Sequence, residues 1–203
     1  MHRHVYARAV FVLAPLVWLA GWIIMRLGGS KGPGIGWKSA HVVWIVGFGL
    51  FALVVLLLWR EVTGAGAGRR IAAGAAGTAL TGAVLMIGQM VVDLWASFGA
   101  ADKAEMSART RDAFEIPGLE LALFVLAPVL LYTGLFALLT VLAVQHRVSP
   151  WSPALVVLAV VLSMVGRGVD GVRLLEGVGA LALLAALLPF AGERQRKEQL
   201  SSV

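Results

Sequence analysis

The hydrophobic positions fall in long uncharged runs rather than in short amphipathic repeats. Six runs approach or exceed the length needed to cross a bilayer: 9–26, 41–59, 71–95, 119–144, 153–168 and 172–190. A spanning helix needs about 20 mainly apolar residues, so each run predicts a transmembrane helix, the fifth a short one. Between the third and fourth runs lies the longest polar stretch, AADKAEMSARTRDAFEIP. Asp102 and Glu105 come early in it, and Arg109 and Arg111 late. That order complements a helix dipole and predicts a short interfacial helix over 101–114. Ile116-Pro117-Gly118 stops it, because a residue before proline is pushed out of the α region. The predicted fold is all-α: a polytopic integral membrane protein, one six-helix transmembrane bundle over 1–203.

Local signals refine the boundaries. Pro15 and Pro128 predict kinks. TGAGAGRR at 63–70 predicts a tight turn, and Gly166, Gly168 and Gly171 a flexible connection before the last span. The polar tail 192–203 reads as frayed. The basic lead with His2, Arg3, His4 and Arg8, followed by an apolar run without a small-residue cleavage site, predicts a retained signal anchor. The loop RLGGSKGPGIGWKS fails as a phosphate loop, because Trp37 replaces the glycine needed before Lys38 and no strand precedes it.

Composition agrees with the pattern. The 203 residues are 60% hydrophobic and 14% charged, with mean hydropathy +0.88. Soluble proteins average about 45–50% apolar and about 25% charged. The chain has no cysteine, which excludes disulfides, thiolate metal sites and cysteine nucleophiles. A net charge of +6 would suit nucleic acid only if a basic soluble module carried it. None is present, so membrane lipids are the expected partners and nucleic acid is not.

An even number of spans puts both termini on one face. Lysines and arginines divide almost evenly between the two faces, with a slight excess that places the termini in the cytoplasm of a cell-membrane protein. The carboxylates do not divide evenly. Most of them, with His41, Gln89, Trp37, Trp44 and Trp95, fall away from the termini. The other half of the bundle reads as Leu, Val, Ala and Gly. This asymmetry predicts a polar cavity opening toward one face.

Four groups could carry chemistry there. Asp93 and Gln89 lie four residues apart, hence on one helix face, with Met86 and Gly82 extending it. Intramembrane acids mark ligand or proton sites, unless the acid reaches the headgroups. Glu120 and His41 each stand at the start of a predicted span on the same face of the membrane. Trp37, His41 and Trp44 recur at i, i+4 and i+7. Arg167, Asp170, Arg173 and Glu176 alternate in sign at three-residue intervals, as a mutually paired turn or an anion site would. A metal site from His41, Asp93 and Glu120 is chemically possible, but the spacing is not diagnostic, and no cofactor is expected.

Gly74, Thr78 and Gly82 place small residues every fourth position, which lets a neighbouring helix approach closely. Val12-Leu13-Ala14-Pro15 with Gly21 matches Val125-Leu126-Ala127-Pro128 with Gly134, a hint of inverted repeats.

Three functions remain open. The first is binding or transport of a small solute, ion or lipid-like molecule, with Asp93 and Glu120 lining the cavity. The second is an enzyme acting on a lipid or isoprenoid, in which His41 and Asp93 share acid–base work and Arg167 or Arg173 holds an anionic headgroup. The third is an accessory subunit of a larger membrane complex or a homo-oligomer.

Overall fold

The computed structural model describes the backbone of residues 2–28 and 32–201, and the side chains of 8–28 and 32–192. The side chains of His2, Arg3 and His4, Lys31, and the charges of the tail beyond Gly192 lie outside the described residues.

The helices are α1 (His2–Leu27), α2 (Ile35–Glu61), α3 (Ala67–Ser97), α4 (Lys103–Phe114), a π-helical turn (Leu121–Leu126) leading into α5 (Ala127–Val144), α6 (Trp151–Gly168) and α7 (Leu174–Ser201). Among the described residues, six helical segments are long and apolar enough to span a membrane, with α5 and its π turn forming one. The expected interfacial helix is α4, and Gly118 at φ +83° ends the turn after it. One expectation is corrected: α2 begins six residues early, so His41 stands in its second turn. The tail read as frayed, beyond Gly192, lies outside the residues whose side chains are described.

Each span packs on its neighbours in sequence, and α7 returns to α1, closing a ring; α2 and α5 touch across it. The interior nearest the termini is hydrocarbon, built from Phe48, Phe51, Val54, Val55, Leu58, Leu131, Leu135, Leu138, Leu139 and Leu142. Backbone polar groups cannot be left unpaired in lipid, which is why such apolar runs are helical throughout.

Packing is closest between α3 and α5. A Cβ on Gly82 would overlap the Leu131 amide nitrogen and stand 2.8 Å from the Ala127 carbonyl oxygen. One on Gly134 would stand 2.5 Å from both the Ala75 oxygen and the Ala79 nitrogen. The seam is therefore Ala75, Ala79 and Gly82 against Gly134. Of the predicted small-residue row, Gly82 belongs to it, while Gly74 is exposed and would have nothing within 4 Å of a Cβ.

The two prolines act differently. α1 runs on through Pro15. Before Pro128 the chain takes wider π turns, and the Ala127 N–H donates to Ala122 rather than to the carbonyl four residues back. Proline has no N–H to give the preceding turn and its ring crowds that turn's carbonyl, so widening relieves the crowding. The repeat hint fails in three dimensions. Gly21 meets Trp44 of the following span, but Gly134 meets the preceding one. A two-fold relation would send both to equivalent neighbours.

α4 is fastened at its start. Asp102 accepts the Glu105 N–H at 2.9 Å, and Glu105 accepts the Ala101 N–H at 2.8 Å. Arg109 then bridges Glu105 and the Phe98 carbonyl. The Ala101 N–H, then Arg109, hold the Glu105 carboxyl below its usual value of 4.5. A carboxyl so lowered stabilises the folded form above its unfolded value, and that contribution disappears as pH falls through the folded one. Hydrogen-exchange protection at residues 101–105 should therefore be full at neutral pH and decline below the ordinary carboxyl range. Glu105→Gln should abolish that decline.

Candidate functional site

Two contacts between ionisable side chains lie at the end of the ring away from the termini, each joining neighbouring helices. The first is built on the start of α2 and the end of α3. His41 is 2% exposed, and its Nε2 lies 3.6 Å from Oδ2 of Asp93, whose side chain is 14% exposed. The other imidazole nitrogen, Nδ1, lies 2.8 Å from the Trp37 carbonyl oxygen. A carbonyl can only accept, so Nδ1 carries the hydrogen. That fixes the tautomer. Nε2 then faces the Asp93 carboxylate across 3.6 Å, beyond direct hydrogen-bond reach.

Tryptophans frame the pair. The Trp37 ring lies 4.4 Å from the imidazole at a 31° tilt, and Trp44 presents an edge at 5.4 Å. Trp37 Nε1 donates to the Asp93 carbonyl oxygen at 3.4 Å, tying α2 to α3. Trp44 Nε1 donates to Trp18 at 3.1 Å, tying α2 to α1. The i, i+4, i+7 spacing thus sets three rings on one face, and that face meets the end of α3.

The second pair closes the ring. Arg26 Nη2 stands 2.5 Å from Oε1 of Glu176. Glu176 occupies the first turn of α7, where a carboxylate suits the helix dipole. Arg26 also lies over Trp22, 5.6 Å from its ring. Gly166 admits this corner of α7, since a Cβ there would be 2.7 Å from the Glu176 nitrogen.

The other predicted residues are dispersed. Gln89 is partly buried, one turn deeper than Asp93. Glu120 is exposed at the edge of the π turn and does not join His41. The trio His41, Asp93 and Glu120 thus does not assemble. Among the described residues, no three His, Asp or Glu side chains come together to hold a metal. Arg167 is exposed, and Arg173 pairs with Asp170 at 3.3 Å rather than with Glu176. Sequence reasoning missed Arg26. The one available signal was a lone arginine at the end of the first apolar run. An open depression of about 440 Å³ lies between Gly28, Pro33, Gly34 and the residues from Ala100 to Lys103, over the loops rather than over the pair.

Compared with protein-family models, curated proteins and solved structures, the chain matches none of them.

Proposed function

We propose that this polytopic membrane protein binds or moves a small solute or ion, with the His41–Asp93 pair as its proton-carrying centre. The observation that supports this is the pair itself: two ionisable side chains on neighbouring helices near one end of a transmembrane bundle, 3.6 Å apart. Intramembrane acids are costly and mark ion or proton routes. Histidine is the side chain whose ordinary charge change spans about pH 5–8. With the termini in the cytoplasm, the pair faces the outer leaflet. In proteoliposomes loaded with a pH-sensitive dye, an imposed potential should acidify the lumen faster with the wild type than with His41→Gln or Asp93→Asn. Those variants should match protein-free vesicles. Equal rates for the wild type and either variant would sink this reading.

The enzyme reading is weaker. Trp37 occupies Nδ1 of His41 and Asp93 faces Nε2, so neither nitrogen is free for a substrate. Packing against a partner has its own support in Ala73, Gly77 and Thr81, exposed at four-residue spacing on α3. A Cβ on Gly77 meets nothing within 4 Å. Gly77→Leu should leave the isolated chain as stable as wild type or more stable by up to about 1 kcal/mol, because leucine favours helix over glycine. If this stripe docks a partner membrane protein, the same change should abolish co-purification from native membranes. An unchanged co-purification profile would count against the partner.

A further inference from the structure

We propose that a groove between α5 and α6 holds one phospholipid, its phosphate bound at Arg167 and an acyl chain lying between the two helices. None of the residues involved belongs to the His41–Asp93 pair.

The groove follows from how α6 packs. One stripe of α6 faces α7. A Cβ on Gly179 would stand 2.8 Å from the Ala159 oxygen and 2.7 Å from Ser163 Oγ, and one on Gly166 would stand 2.7 Å from the Glu176 nitrogen. Beside it, at steps of three and four residues, runs a second stripe: Pro153, Val156, Val160, Met164 and Arg167. Its burial falls steadily along the helix. Pro153 is buried and Val156 is 1% exposed, Val160 is partly buried, Met164 is 70% exposed and Arg167 is exposed. α5 changes in the same direction. Leu142, Leu139 and Leu135 are fully buried, while Tyr132 and Pro128, one and two turns farther from the termini, are only partly so. Arg167 lies within Coulomb range of Tyr132, which sets the two stripes against each other. α5 and α6 thus close on each other toward the termini and part toward the other end. The space between them is a wedge with apolar walls, open sideways to the bilayer.

Such a wedge suits an acyl chain. α6 is one of the membrane spans, so the exposed Met164 faces hydrocarbon rather than water, and lipid tails are the apolar matter at hand to fill the space. Arg167 stands at the mouth, in the last turn of α6. An arginine there reaches the headgroup layer while its methylene stem lies along apolar surface. Its planar fork matches two phosphate oxygens at once.

The nearby charges leave Arg167 to a ligand. Among the described residues it forms no ion pair. Asp170 is paired with Arg173, and Glu176 with Arg26. Tyr132, on the facing wall, brings a neutral hydroxyl donor. A helix C-terminus by itself accounts for a cation in the last turn. It does not account for the wedge that opens beside that cation. One unpaired positive charge above an apolar groove fits an anionic phosphodiester that carries tails. A free phosphate would use the arginine alone, and a partner helix the wedge alone.

The test uses the full chain, delipidated in detergent, with native mass spectrometry to count bound molecules. Phosphatidylglycerol is the probe. Diacylglycerol supplies the same tails without phosphate, and glycerol phosphate the headgroup without tails. One copy of phosphatidylglycerol should bind tightly, and neither control should bind or compete at the same concentration. Arg167→Gln should weaken that copy about tenfold, as loss of one charge-assisted hydrogen bond would. Arg167→Lys should recover part of the loss. Met164→Trp, a change at an exposed position, should fill the wedge and weaken binding while the chain elutes as wild type. Arg111→Gln, at an exposed arginine of α4, should leave binding unchanged, and so should Asp93→Asn, which ends the proposed proton step. Wild-type binding by Arg167→Gln overturns the proposal, as does an equal loss with Arg111→Gln. Tight binding of glycerol phosphate would mark a free-anion site instead. Equal retention of diacylglycerol would mark a groove indifferent to Arg167, and a dimer that phosphatidylglycerol does not dissociate would mark a groove filled by a second copy. Each of these also overturns it, and none touches the proton-carrying reading.

Discussion

Gly82→Leu should prevent the six-span ring from assembling, and Gly82→Ala should weaken it severely. A Cβ at residue 82 would overlap the Leu131 backbone and crowd the Ala127 carbonyl. These are main-chain atoms, which no rotamer change can move aside. α5 must retreat, and with it the buried contacts of Leu131 and Leu135. Overpacking of a close-packed interior costs about 1–3 kcal/mol when side chains can adjust, and more when they cannot. Gly74→Ala is the control. It makes the same glycine-to-alanine change on the same helix, at a position where a Cβ meets nothing within 4 Å. Alanine favours helix over glycine by about 1 kcal/mol, so Gly74→Ala should be neutral or stabilising. Unfolding in mixed detergent should give opposite signs for the two alanine variants. Like signs would mean that the α3–α5 seam does not govern stability.

Arg26→Ala should destabilise the protein more than Arg26→Leu combined with Glu176→Leu. Removing the arginine alone leaves the Glu176 carboxylate, 6% exposed, without its partner. Breaking a fully buried ion pair costs about 3–5 kcal/mol, while replacing both members with apolar residues is often neutral. Arg26 is 31% exposed, so solvent screens part of the interaction and about 2–3 kcal/mol is the expected loss. A double-mutant cycle measures this directly. A double variant as unstable as the sum of the single losses would show that the two residues act separately. The location adds interest, because this pair spans the one junction that joins the last span to the first.

How far the sequence could be read depended on the range of the interaction. Six spans, the interfacial helix and an apolar half toward the termini were legible from residue order. Hydropathy, proline and capping signals act within one or two helical turns, and a bilayer leaves helices little alternative. The same local spacing put Trp37, His41 and Trp44 on one face, and Gln89 and Asp93 on another. It could not say what those faces meet. His41 stands against Asp93 rather than Glu120, and Glu176 binds Arg26 rather than Arg173, three residues before it. Those choices depend on the rotation of each helix against its neighbour and on the closure of the ring. Both are set by backbone contact at a few positions. Small residues lie on several sides of α3, and only packing on α5 selects Ala75, Ala79 and Gly82 over Gly74 and Gly77. The chain order thus determined which segments cross the membrane and where polar groups collect. The tertiary structure alone decided which of those groups pair, because pairing follows the helix rotations that glycine contacts fix across the bundle.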